Sequence, residues 1–111
     1  MTEAEGRIEQ GADGELRLAG VLDYQTGPAL RDKGKALIRS SSADPLRVDC
    51  SGVERSSSVG LSLLLAFTRD AIAMGRGIRV GGLSEDMQEL AKVSGLTDIL
   101  ALESDTQGEV R

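Results

Sequence analysis

The strongest helical pattern in the chain runs from Val59 to about Met74, and that helix is apolar on two sides. At about 100° per residue, Leu61, Leu64, Leu65, Thr68 and Ile72 form one stripe, and Val59, Leu63, Phe67 and Met74 form a second, roughly opposite one. A single sheet can bury only one of them. The second is either covered by neighbouring helices or, near the Ser58 end, left as an exposed apolar strip for a partner. In both cases the helix needs a sheet on one side, which points to a layered α/β domain.

The flanking segments supply that sheet. Arg7 to Gln10 and Glu15 to Leu18 alternate polar with apolar residues around Gly11-Ala12-Asp13-Gly14, a pattern that predicts a β-hairpin. Gly20 to Pro28 leads into a helix of three to four turns, with Asp23 or Thr26 available to cap it, Pro28 tolerated in the first turn, and Leu30, Leu37 and Ile38 on its buried side. Leu46 to Cys50 predicts a third strand, Ile78 to Val80 a fourth, and Ile99-Leu100 a short edge strand. Gly75 predicts a left-handed stop to the central helix. A last helix opens at Ser84-Glu85-Asp86 and stops near Gly95. The polar set on every strand (Arg7, Glu9, Arg17, Arg47, Asp49, Arg79) predicts a mixed sheet of four to five strands with the helices mainly on one face. One domain is expected over residues 1–102, followed by a disordered tail over residues 103–111.

Most chemistry is excluded by what the chain lacks. With no histidine and one cysteine it cannot build a Ser-His-Asp triad, a Cys-His pair or a His/Cys zinc site, so no catalytic residue, metal or cofactor is expected. Gly34-Lys35 is followed by Ala36 and lacks the upstream glycine of a phosphate loop. Gly75-Arg76-Gly77 and Gly81-Gly82 fall where turns between elements need them. Glu85-Asp86 and the Asp23, Asp32 pair lie at helix starts or on solvated faces, where acids are common. Cys50 has the apolar parity of its strand and reads as a small core residue.

A net charge of -5 with scattered cations disfavours nucleic acid. The longest apolar stretch, Leu61 to Phe67, is far short of the roughly 20 residues that span a bilayer. A cytoplasmic protein is expected, with any membrane association made through a partner.

The run Val48-Asp49-Cys50-Ser51-Gly52-Val53, a short loop, then Ser56-Ser57-Ser58-Val59-Gly60-Leu61 resembles the signature of the STAS family. In that family a "V-x-L-D-x-S-x-V" strand is followed by "D-[ST]-x-G-[LV]" opening the central helix. Asp49, Ser51 and Val53 match the strand, Ser58 takes the place of the phosphorylatable residue, and Gly60-Leu61 match the Gly-Leu that follows. Ser57 stands where the family pattern has aspartate. With Leu90-Ala91-Lys92 and Gly95-Leu96, the segment from Gly60 to Leu65 is more similar to the MlaB branch, small subunits bound to the ATP-binding subunit of the Mla phospholipid ABC transporter.

The resemblance implies a non-catalytic accessory subunit that docks on an MlaF-like ATP-binding subunit, and through it on the membrane permease, in support of outer-membrane lipid asymmetry. The alternative it implies is an anti-sigma-factor antagonist switched by phosphorylation at Ser58. Docking is expected on Ser56, Ser57, Ser58, Val59, Ser62, Leu63 and Phe67, with Ser58 as the cap of the central helix. That helix start also offers N–H donors and the positive end of a dipole.

Overall fold

In a computed structural model the chain is described over residues 6–96. The elements follow one another as β1 (Arg7–Gln10), β2 (Leu16–Leu22), α1 (Gly27–Ser40), β3 (Leu46–Ser56), α2 (Ser58–Ala73), β4 (Ile78–Gly81) and α3 (Glu85–Val93). The expected edge strand at Ile99-Leu100 and the expected tail lie outside the described residues.

The described strands form one sheet in the order β1-β2-β3-β4. The hairpin closes where the Gly11 N–H donates to the Glu15 carbonyl at 2.7 Å, and β1 then runs antiparallel to β2, with Ile8 opposite Leu18. β2, β3 and β4 are parallel. Two successive crossovers of the same hand, stepping in the same direction along the sheet, put their helices on the same face. α1 and α2 accordingly pack side by side. Beneath them lie Ile8, Leu16, Leu18, Leu22, Leu46, Val48, Cys50 and Val80, all buried. The opposite side-chain set, with Arg7, Glu9, Arg17, Arg47 and Arg79, faces water.

β3 is longer than its alternating core of Leu46 to Cys50 predicts, because β2 continues beside it. Val21 pairs with Arg55 and Leu22 with Ser56 after two register shifts, so the short loop expected before Ser56 is strand instead. Only Ser57 separates β3 from α2.

The two-sided helix is resolved by α1. Leu61, Leu64, Thr68 and Ala71 are buried toward the sheet side, and Leu63 and Phe67, from the second stripe, are buried as well. Gly34 makes this possible: a Cβ there would run into the ring of Phe67. Ile72, expected on the sheet-facing stripe, is 64% exposed because its neighbour Ala71 takes the inward position. At about 100° per residue that leaves Ile72 turned outward. Gly75 ends the helix as expected, at φ 76°, and the Arg76 N–H reaches back to the Ala71 carbonyl at 2.9 Å. Ser84 caps α3 by accepting from the Met87 N–H at 3.1 Å. Among the described residues no helix is long and apolar enough to cross a membrane.

Candidate partner-docking site

Two helix starts come together at one end of the sheet. At the first, the chain leaves β2 and turns through Asp23 to Thr26 before α1. The Asp23 carboxylate accepts from the N–H groups of Gln25 and Thr26 at 2.9 and 3.0 Å. Thr26 Oγ1 accepts from the Asp23 N–H at 3.0 Å and donates to the Val21 carbonyl at 3.1 Å. The cap position of α1 is Thr26, yet its side chain makes no capping bond, and Asp23 organises the turn instead. This cross-bonded turn carries Tyr24 at its tip, 78% exposed. The turn fixes the backbone that presents this aromatic before any partner arrives, which limits the entropy that docking must overcome.

At the second start the cap of α2 is Ser57, whose Oγ accepts from the Val59 N–H at 3.1 Å. The expectation that Ser58 caps the helix is therefore corrected: Ser58 is the first helical residue, and it is exposed. The physical reason is the longer β3, which delivers extended backbone as far as Ser57, the conformation a cap requires. Serine and aspartate are both good caps, so Ser57 does locally what the family's aspartate can do. Ser56 is half-buried and donates its hydroxyl to the Ser57 carbonyl at 2.8 Å. Gly60 is buried where a Cβ would meet that same hydroxyl and Leu22, which explains a glycine in the first turn.

Between the two starts lies a shallow, almost wholly apolar hollow of about 330 Å³, lined by Tyr24, Gly27, Pro28, Arg31, Val59, Ser62 and Leu63. Gly27 lets the helices approach, since a Cβ there would stand 3.0 Å from Val59 Cγ1. Val59 is half-buried and Ser62 exposed, while Leu63 forms the floor at 4% exposure. Phe67 does not belong to this surface. It is fully buried against α1, because covering the second stripe of α2 consumed it.

Of the expected docking residues, the fold thus gathers Val59, Ser62 and Leu63 around the hollow, with Ser57 and Ser58 at the adjoining helix start. Tyr24, Pro28 and Arg31 were not legible as part of it. Only the lone tyrosine between two potential capping residues hinted at a presented side chain. Arg31 is held by Asp70 of α2, with Nη1 to Oδ2 at 2.6 Å and Nη2 to Oδ1 at 3.3 Å.

A larger hollow of about 650 Å³ lies on the open face of the sheet, among Asp13, Glu15, Asp44, Arg47, Asp49 and Arg79. Its carboxylates outnumber its guanidiniums and polar groups dominate its lining, so it has the character of a solvated charged face. Among the described residues no group of acids and cysteine could hold a metal ion. Cys50 is buried, and desolvation, followed by the charge of Asp49, pushes its thiol up to about 12. It packs as a core residue whose burial favours the protonated thiol.

Comparison with known proteins identifies the family and agrees with the fold. A family described as "Mlab, STAS domain" matches residues 6–102. The anti-sigma-B factor antagonist of Bacillus subtilis is 28% identical over 99 residues, covering 89% of each chain. Among solved structures, an anti-sigma factor antagonist from Mycobacterium paratuberculosis superposes with a TM-score of 0.73 at 24% identity, over 95% of this chain and 89% of that one. A chain of the Acinetobacter MlaFEDB complex in its ATP-bound Vtrans1 conformation superposes with a TM-score of 0.71 at 22% identity, over 85% and 96%.

Proposed function

This chain belongs to the STAS domain family, and from that premise we propose that it is a non-catalytic accessory subunit docking on the ATP-binding subunit of an Mla-type phospholipid ABC transporter. It stabilises or regulates that subunit and sits in the cytoplasm, held at the inner membrane through its partner. The observation that carries docking is the apolar hollow between two helix starts, rimmed by an exposed tyrosine, in a chain with no histidine. Burying such a rim against a complementary surface removes apolar area from water, the usual driving force for association. The matched family's description favours the transporter partner, as does Ser57 in place of the acid of the phospho-regulated pattern.

A second reading is an anti-sigma-factor antagonist, favoured by the Bacillus relative and by the exposure of Ser58 at the helix start. A phosphate on Ser58 would add negative charge beside the docking hollow and oppose acceptor groups on a partner. Affinity purification of the full chain from its native cell separates the two. Stoichiometric recovery of an ABC ATP-binding subunit is the expected result. Recovery of a kinase-like anti-sigma factor in its place would establish the second reading and overturn the first.

A further inference from the structure

We draw no further inference here: the strongest candidate, the cross-bonded turn from Asp23 to Thr26 that presents Tyr24 beside the apolar hollow, belongs to the docking site already described, and nothing in the structure shows what covers it.

Discussion

The Ser57 N–H donates to the Leu22 carbonyl at 3.0 Å, so the residue that caps α2 is also bonded to the last residue of β2. One serine thereby fixes where the central helix begins and how it sits against the sheet. Ser57→Ala should destabilise the domain by about 1 kcal/mol, the usual cost of a lost cap. Ser57→Asp should stay within about 0.5 kcal/mol of the original, because aspartate caps equally well. Ser58→Ala, at an exposed helical position, should also fall within about 0.5 kcal/mol. Urea denaturation midpoints of the three variants check this. A loss at Ser58 equal to that at Ser57 would return the cap to Ser58.

Gly34 and Phe67 set the distance between α1 and α2. A methyl group at position 34 has nowhere to go but into the ring. Gly34→Ala should therefore destabilise by about 1–3 kcal/mol, the range for overpacking a core, despite alanine's better helix propensity. Adding Phe67→Leu, which removes the ring, should recover part of that loss in a double-mutant cycle. Strict additivity of the two changes would mean that the helices do not meet through this pair.

The same contact shows what was legible in the sequence and what was not. Period-two alternation identified β1, the first half of β2, the core of β3 and β4, because each strand buries one face and wets the other. Capping and glycine signals identified both ends of α3 and the stop of α2, whose cap lies one residue before the expected Ser58. The length of β3 was hidden, since Gly52, Glu54 and Arg55 do not alternate in hydrophobicity. Their strand conformation comes from pairing with Ala19 to Leu22, which is a tertiary fact. Helical periodicity likewise found both apolar stripes of α2 but not their fate. That depended on Gly34, a residue with no hydrophobic signal, whose missing side chain admits Phe67. The hollow was half legible for the same reason: Val59, Ser62 and Leu63 lie on one helix, whereas Tyr24, Pro28 and Arg31 arrive through the fold.

Cys50 gives a prediction about pH and reactivity. Its thiol is pushed from an ordinary 9.0 to about 12, first by desolvation. In the native state it should resist iodoacetamide at pH 8 and react at an ordinary rate only after unfolding in urea. Between about pH 9 and 12 the unfolded chain has lost this proton and the native chain retains it. Cys50 therefore lowers stability as pH rises through that window, and has no such effect below it. Cys50→Ala should flatten this part of the stability profile. Rapid labelling of the folded chain would show the thiol to be accessible.

The surface itself is best tested by separating residues that support the hollow from residues that contact across it. Leu63 lies at 4% exposure, so Leu63→Asp buries an unpaired charge and should unfold the domain, which makes it useless as a probe of docking. Val59 is half-buried at the rim, where an aspartate can still reach water, and Tyr24 is 78% exposed. Val59→Asp and Tyr24→Ala should therefore leave thermal unfolding nearly unchanged. Tyrosine is enriched among interface residues whose truncation costs more than about 1 kcal/mol, so Tyr24→Ala should weaken capture of the ATP-binding subunit by about tenfold. Val59→Asp should weaken it further, because it puts a carboxylate at the rim of an apolar hollow that a partner's side chain has to fill. Wild-type capture by both folded variants would place the docking surface elsewhere on the domain.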